Sequence, residues 1–186
     1  GLHDLGAVIR PDPIRLDRTT LRHKGRTIVD ALSHSFAPGS LTALTGANGA
    51  GKTTLLRAIA GLHPVSGGTI DRGSLGAGDI AMLAQSGTLD RGFPISCADV
   101  VALGAFAKRG PFQAIDDAER TQAALATVGL PDIGDTPVGA LSAGQFQRVL
   151  FARLIVQDAP VLLLDEPFNA MDAETTEVLL AVVHRW

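Results

Sequence analysis

One stretch, GANGAGKTT at residues 46–54, constrains the fold of this chain more than any other. It fits the pattern GxxxxGK[ST], in which glycines let the backbone close around an anion without Cβ clashes. The apolar run LTAL at residues 41–44 predicts a short buried strand that leads into it. Four apolar residues then follow on one face of a predicted helix: Leu55, Leu56, Ile59 and Ala60. Such a unit directs backbone N–H groups and a helix N-terminus to one point, which predicts a loop for the phosphates of a nucleoside triphosphate.

Every residue of this phosphate loop is a candidate nucleotide ligand: Gly46, Ala47, Asn48, Gly49, Ala50, Gly51, Lys52, Thr53 and Thr54. Lys52 supplies the cation that we expect to reach the β- and γ-phosphates and to take part in catalysis. The Thr53 hydroxyl is the expected protein ligand of Mg²⁺. The alternative is a glycine-rich turn that carries a lysine by chance, and it leaves the flanking strand and helix unexplained.

A second candidate site begins where the apolar run VLLL, residues 161–164, ends in Asp165 and Glu166. Four consecutive apolar residues predict a fully buried parallel strand. Because ligands bind at the carboxyl ends of strands in open α/β sheets, we expect both carboxylates to face the phosphate loop. Asp165 is then the candidate to hold Mg²⁺ through water, and Glu166 the candidate to polarise the attacking water. The alternative is a helix cap after a buried strand.

Composition and charge limit the class of protein. The 186 residues are 46% hydrophobic and 19% charged, which is enough apolar material for one substantial core. A net charge of −3 gives no basic surface, so nucleic acid is not an expected partner. Cys97 is the only cysteine, and we expect a buried, unreactive core position for it. No apolar run reaches the ~20 residues that span a bilayer, and no signal peptide opens the chain, so the expected location is cytoplasmic.

The order of the patterned segments predicts an α/β core with an antiparallel β part. The predicted strands are residues 14–21, 27–29, 69–70 and 80–83, with Gly67-Gly68 as a hairpin turn before the third. Helices are predicted over residues 97–103 and 117–125, within a proline-interrupted stretch. We therefore predict one domain over 1–186, with a core at about 1–87 and 158–186 and an inserted helical subdomain at about 88–157.

The run LSAGQ at residues 141–145 resembles the LSGGQ signature of ATP-binding-cassette (ABC) ATPases, with Ala143 in place of the first glycine. A serine hydroxyl, bare glycine backbone and a helix N-terminus together form an anion site, although the run taken alone also fits a simple helix cap. The resemblance implies a P-loop NTPase (RecA-like) fold. It also implies that Ser142, Gly144 and Gln145 bind the γ-phosphate held by a partner subunit, so that two copies form a homodimer around ATP.

The resemblance extends from about residue 14 to residue 186 and implies further roles. Gln85 falls at the Q-loop, where the family's glutamine contacts Mg²⁺ or the attacking water and senses the membrane subunit. Residues 169–172 fall at the D-loop, which crosses the dimer interface. His23 stands where the family has an aromatic side chain that stacks on adenine. An exposed turn histidine is the alternative for His23, and both interpretations stay open.

Three short runs are similar to the ATPases of manganese, zinc and iron importers: GFPIS at 92–96, DVVALG at 99–104 and DEPF at 165–168. Iron-chelate importers carry related sequences. The resemblance implies a transport-coupled ATPase that hydrolyses ATP to ADP and phosphate on the cytoplasmic face of the membrane. Its implied partners are transmembrane permease subunits and, indirectly, an extracytoplasmic substrate-binding protein. The five histidines show no metal-ligand spacing, so metal selection would belong to other subunits.

Other classes of P-loop protein remain alternatives. ABC-type ATPases of chromosomes insert long heptad coiled coils, and the insert here is short and broken by prolines. A small-molecule kinase would have no role for LSAGQ, and a purely regulatory nucleotide-binding module is a further alternative. The family's switch histidine is expected after one more strand beyond the helix that carries His184. We therefore expect this sequence to lack the C-terminal end of the core, and the fragment to be weakly active or inactive alone.

Overall fold

The computed structural model describes residues 12–47, 49–83, 94–109, 118–168 and 171–185. The chain divides into two compact units, residues 1–76 and residues 77–186. The first unit contains β1 (Ile14–His23), β2 (Arg26–Phe36), α1 (Lys52–Ile59) and β3 (Gly67–Asp71). The second contains β4 (Ile80–Leu83), α2 (Cys97–Arg109), α3 (Ala118–Thr127), α4 (Ala143–Gln157), β5 (Val161–Leu164) and α5 (Ala173–Arg185), with short 3₁₀ turns at Ala77–Asp79 and Val138–Ala140.

The sheet of the first unit is antiparallel, with the strand order β2-β1-β3. β1 and β2 form a hairpin whose two turn residues, Lys24 and Gly25, both have positive φ, as tight hairpin turns require. Along β1 the buried positions change phase, because the register shifts between Leu16 and Thr19. Arg18 lies in this bulge with a φ of 45°. The predicted strands over residues 14–21 and 69–70 are confirmed. The alternation of apolar and polar residues along β1 does not predict the bulge.

The predicted hairpin turn at Gly67-Gly68 is wrong, because both glycines lie in β3. Gly68 has a φ of 70° and faces the β1 bulge, where an added Cβ would overlap the carbonyl oxygens of Asp17 and Arg18. A glycine pair therefore marks a close approach of two backbones here rather than a chain reversal.

The predicted strand at residues 41–44 is also not found, since the backbone from 41 to 47 is irregular. The Leu41 side chain is 83% exposed. A short apolar run becomes a strand only when a neighbouring strand satisfies its N–H and C=O groups. The ladders among the described residues join only β1 with β2 and β3, and β4 with β5, so residues 41–44 have no such neighbour.

The second unit combines a parallel β pair with a helical core. β4 and β5 run parallel in the register Ile80 to Val161 through Leu83 to Leu164. The strand predicted to be fully buried, β5, is half-buried except at Leu163. The helices predicted at 97–103 and 117–125 are found as α2, which continues to Arg109, and as α3, which runs from Ala118 to Thr127. Residue 117 lies outside the described residues. The mixed antiparallel and parallel sheets agree with the predicted α/β class, whereas the boundaries of a helical subdomain at 88 and 157 stay a prediction.

The core of the second unit forms where α2, α3 and α4 pack together. Its fully buried side chains include Val101, Leu125, Val149 and Phe151, and Cys97 lies among them with no exposed surface. Burial raises the pKa of the Cys97 thiol above its usual value, so the thiolate is disfavoured. The core position expected for this cysteine is confirmed.

A glycine sets the distance between α2 and α4. A Cβ added to Gly104 would overlap the Arg153 carbonyl oxygen and come within 3.0 Å of the Gln157 nitrogen. We expect Gly104→Ala to lower the free energy of unfolding by about 1–3 kcal/mol, because the helices must separate. Alanine by itself favours a helix by about 1 kcal/mol, so a net loss in urea unfolding would show that the overlap dominates.

Gly134→Ala is the matched control for that substitution. A Cβ added to Gly134 would meet its nearest neighbour, the Ala98 Cβ, at an ordinary 3.7 Å. We expect this variant to unfold at the same urea concentration as the wild type. Equal stability of the two variants would contradict the tight crossing at Gly104.

Candidate functional site: a phosphate loop and an acidic strand end

The phosphate loop leads directly into the N-terminus of α1. Gly49 and Gly51 have φ values of 83° and 94°, which side chains with a Cβ rarely adopt. Gly51 is the N-cap residue, and a Cβ on it would also overlap the Ile28 side chain of β2. The first turn of α1 contains no acidic residue. The positive end of the helix dipole therefore meets the loop without a competing carboxylate, which suits an anion.

The Lys52 ammonium lies against the backbone of this loop. Its Nζ donates hydrogen bonds to the carbonyl oxygens of Gly46 at 2.6 Å and Ala47 at 3.1 Å. The Ala50 N–H also donates to the Ala47 oxygen, at 3.0 Å, so the loop closes into a turn. An ammonium has three donors, and two of them serve the loop in this state. The cation is thus held at the loop where phosphate oxygens are expected; Asn48 lies outside the described residues.

The far end of α1 is anchored by contacts that the sequence did not reveal. Gly61, with a φ of 78°, ends the helix, and the Leu62 N–H donates to the Arg57 oxygen at 2.8 Å. The Arg72 side chain donates from Nε to the Ile59 oxygen at 2.7 Å and from Nη2 to the Ala58 oxygen at 2.6 Å. These bonds hold the C-terminus of α1 and so limit movement of its N-terminus at the loop. The only sequence signal for them is Gly61, a typical helix-ending residue.

His23 lies exposed at the end of β1, beside a second histidine, His63. The ring centroids of His23 and His63 are 6.4 Å apart, at an interplanar angle of 35°. His63 Nε2 is 2.9 Å from the Arg22 carbonyl oxygen, which orients that ring. The role of His23 in stacking on adenine stays a prediction.

The acidic end of β5 has an unusual backbone conformation. The Asp165 N–H donates to the Leu83 oxygen at 3.0 Å, which continues the pairing with β4, and the Asp165 side chain is 3% exposed. Glu166 follows with a φ of 49°, in the left-handed region that a residue with a Cβ rarely adopts. Such strained conformations cluster at functional sites, because the surrounding structure must hold them in place. The strain agrees with a functional role for the predicted catalytic carboxylate.

Two residues of α4 hold the segment after Glu166. Gln147, which is buried, donates from Nε2 to the Pro167 oxygen at 3.3 Å. The Phe151 ring stacks on Phe168 with centroids 6.4 Å apart. Neither Gln147 nor Phe151 was selected from the sequence, where both look like ordinary helix residues. Their contacts attach the candidate catalytic segment to the helix that begins at the signature.

The signature run forms a helix N-terminus with a capping box. The Gln145 N–H donates to Ser142 Oγ at 3.1 Å, and the Ser142 N–H donates to Gln145 Oε1 at 3.0 Å. The cap interpretation therefore describes these two side chains correctly. A hydroxyl that accepts one hydrogen bond still has a proton to donate, so the cap leaves room for an anion at the start of α4. The γ-phosphate role of Ser142, Gly144 and Gln145 stays a prediction.

Several predicted site residues lie outside the described residues or in different compact units. Gln85, Asn169 and Ala170 lie outside the described residues. Thr53 belongs to the first compact unit and Asp165 to the second. Among the described residues, no three His, Cys, Asp or Glu side chains form a group suited to a metal ion. None of the described helices is long and apolar enough to cross a membrane.

The family model for ABC transporters matches residues 29–169, a range that contains the phosphate loop, the signature and Glu166. The chain belongs to the ABC transporter family. The predicted family is thereby confirmed, and the ABC transporter domain implies that the chain binds ATP.

Curated proteins that are similar to this ABC transporter chain are named for the transport of different substrates. It is 35% identical to the manganese transport system ATP-binding protein of Bacillus subtilis (strain 168), over 92% of this chain and 71% of that protein. It is 32% identical to the zinc transport system ATP-binding protein of Treponema pallidum (strain Nichols), over 91% and 66%. It is 38% identical to a 2-aminoethylphosphonate import ATP-binding protein of Salmonella choleraesuis (strain SC-B67), over 92% and 48%. The chain thus spans only part of these proteins, between 48% and 71% of their lengths.

Solved structures agree with the predicted fold class. A metal-chelate type ABC transporter in an inward-facing conformation matches with a TM-score of 0.74 and 25% identity, over 92% of this chain and 66% of that one. The P-loop NTPase fold expected for this ABC transporter chain is confirmed.

Proposed function

We propose that this chain is the ATP-hydrolysing subunit of an ABC importer and that it powers the entry of a transition-metal ion through separate membrane subunits. The observation that carries the ATPase assignment is the Lys52 ammonium, held on a glycine loop at the N-terminus of α1. Membership of the ABC transporter family supports the coupling to transport. The metal cargo is supported by relatives named for manganese and zinc transport.

The residues of the phosphate loop fit a triphosphate and its metal ion. The loop offers a helix N-terminus and a cation to the phosphates. The Thr53 hydroxyl in the first unit and the Asp165 carboxylate in the second are each an oxygen donor of the kind that Mg²⁺ prefers. Gln85 is the third candidate ligand. When bound, Mg²⁺ neutralises negative charge on the phosphates. Lys52 adds a fixed positive charge there, and Glu166 accepts a hydrogen bond from the attacking water and draws off its proton.

The second part of the proposal is a homodimer formed on ATP. The N-terminus of α4, with Ser142, Gly144 and Gln145, is one turn of exposed or half-exposed backbone at the positive end of a 15-residue helix. That end attracts an anion, and the γ-phosphate on the partner copy supplies one. The permease subunits and a substrate-binding protein complete the system at the membrane, with this chain on the cytoplasmic face. The net charge of −3 gives no support to a nucleic-acid partner.

A second candidate is an ABC importer for a different cargo, with the same ATPase. The 38% identity to a phosphonate import protein is as high as the identity to the metal relatives. The part of the chain that the structure describes contains no metal-ligand group that would favour one cargo over the other. The choice belongs to the membrane and substrate-binding subunits.

Uptake into proteoliposomes tests the proposal. The full-length protein is reconstituted with its membrane subunits and substrate-binding protein, with ATP on the side of the nucleotide-binding subunit and labelled cargo on the other. We expect ATP-dependent transport of radiolabelled Mn²⁺, Zn²⁺ or Fe²⁺, and none with Lys52→Ala. Transport of labelled 2-aminoethylphosphonate instead would favour the second candidate. ATP turnover without transport of either class would overturn the importer assignment.

A further inference from the structure

The N-terminal turns of α4 and α5 meet at Gly144. A Cβ added to Gly144 would lie 3.4 Å from Thr175 Oγ1 and 3.7 Å from Asp172 Oδ2. Thr175 lies in the first turn of α5 and is 1% exposed. The signature glycine therefore packs directly against the start of the helix that follows the D-loop.

A chain of hydrogen bonds crosses this contact. Arg148, in α4, donates to Thr175 Oγ1 from Nη2 at 2.6 Å and from Nε at 3.2 Å. Thr175 Oγ1 in turn donates to Asp172 Oδ2 at 3.1 Å, and the Thr175 N–H donates to Asp172 Oδ1 at 2.7 Å. The hydroxyl therefore uses its one proton and its lone pairs at the same time. Arg148, Thr175 and Asp172 form one connected group, which we call the Arg148 relay.

The Arg148 relay does more than cap α5. A cap requires only the Asp172 carboxylate and the Thr175 N–H, both of which lie on the α5 side. Arg148 adds two donors from the other helix, and they converge on a hydroxyl that is almost fully buried. The hydrogen bonds from the Thr175 N–H and then the Thr175 hydroxyl, with a smaller effect of the Arg148 charge, lower the pKa of Asp172 below its usual value.

We propose that Arg148 and Thr175 are positioning residues that hold the first turn of α4, with Ser142 and Gly144, at a fixed place against the start of α5. The inference rests on the proposed role of that turn as the site for the partner's γ-phosphate. An anion site of backbone donors works only when they are aligned, and a displacement of about 1 Å can cost about a hundredfold. The relay also joins the signature to the residues after the D-loop, so that both form one rigid surface that faces the partner copy.

The Thr175→Val substitution tests the relay with little change of shape. Valine removes the hydroxyl, and with it both Arg148 bonds, but keeps the N–H that Asp172 caps. In the full-length Glu166→Gln protein, we expect Thr175→Val to weaken ATP-dependent dimerisation by about tenfold or more. ATP affinity of the dilute monomer, measured by titration, should stay within about twofold, because the phosphate loop is untouched. Thr175→Ser keeps the hydroxyl and should restore dimerisation, which a simple loss of packing would not predict.

The outcomes separate the relay from the proposed function. A Glu166→Gln protein that fails to dimerise with ATP would overturn the proposed function itself. Dimerisation of Glu166→Gln, together with equal dimerisation of the Thr175→Val form, would overturn the relay alone. If Thr175→Val also lowers the melting temperature without nucleotide, Arg148→Met replaces it in the Glu166→Gln protein, because it leaves Thr175 and the Asp172 cap in place. ATP-dependent dimerisation is then measured on a sizing column, and dimerisation equal to that of Glu166→Gln alone would overturn the relay.

Discussion

The Lys52→Ala variant is expected to bind ATP more than about tenfold more weakly than the wild type. Hydrogen bonds from a charged donor contribute about 1.5–3 kcal/mol, and the phosphates lose theirs when the ammonium is removed. The fold should survive, because the two Lys52 bonds in the structure go to an exposed loop backbone. Isothermal titration with Mg·ATP gives the affinity, and thermal unfolding without nucleotide gives the stability.

Arg57→Ala is the matched control for the lysine substitution. Arg57 lies in the last turn of the same helix, is exposed, and loses the same charge. Because it lies at the opposite end of α1 from the phosphate loop, we expect ATP affinity close to that of the wild type. An unchanged affinity in Lys52→Ala would mean that residues 46–54 are not the phosphate site. An equal loss in both variants would indicate a general effect of charge rather than a contact.

The Glu166→Gln variant is expected to bind ATP but to hydrolyse it about 10²–10⁴-fold more slowly. Glutamine keeps the side-chain shape and removes the negative charge that accepts a proton from water. With hydrolysis blocked in the full-length protein, the closed dimer with two ATP molecules should accumulate on a sizing column. Glu119→Gln, an exposed acid in the first turn of α3, is the control and should leave turnover unchanged. A normal rate of ATP hydrolysis in Glu166→Gln would mean that Glu166 is not a catalytic residue.

Adding Ser142→Arg to Glu166→Gln tests the signature as a phosphate site across the dimer. The large side chain should block the approach of the γ-phosphate to the N–H groups of α4, so the double variant should bind ATP as a monomer. Since arginine also removes the cap on Gln145, the pair Ser142→Asp and Ser142→Asn provides a control of similar size, and both residues cap helices. The aspartate should prevent dimerisation by repelling phosphate, and the asparagine should not. Unimpaired dimerisation of the Ser142→Arg double variant would contradict the ABC mechanism proposed here.

Local chemistry explains the parts of this protein that could be predicted from the sequence. The glycine spacing of the phosphate loop depends on backbone angles at Gly49 and Gly51, and those angles are a property of the residue type. The Ser142 capping box is also local, because its two partners lie within three residues of each other. The helices predicted at 97–103 and 117–125 rest on runs of residues that suit helices within a proline-interrupted stretch. In each case the interacting atoms are close in the sequence.

The tertiary structure alone decided everything that depends on a distant partner. Among the described residues, no strand pairs with the apolar run at 41–44. Gly68 serves a close backbone approach to a bulge 50 residues away rather than a turn. Arg72, Gln147 and Arg148 look like ordinary polar residues until their acceptors are known, on Ile59, Pro167 and Thr175. The residues next to a donor in the sequence do not indicate which acceptor it will meet on another element. Any donor of similar length could make the same hydrogen bond. The sequence by itself therefore determined the family and predicted the phosphate loop, whereas the packing of α4 against α5 decided how the start of α4 is held.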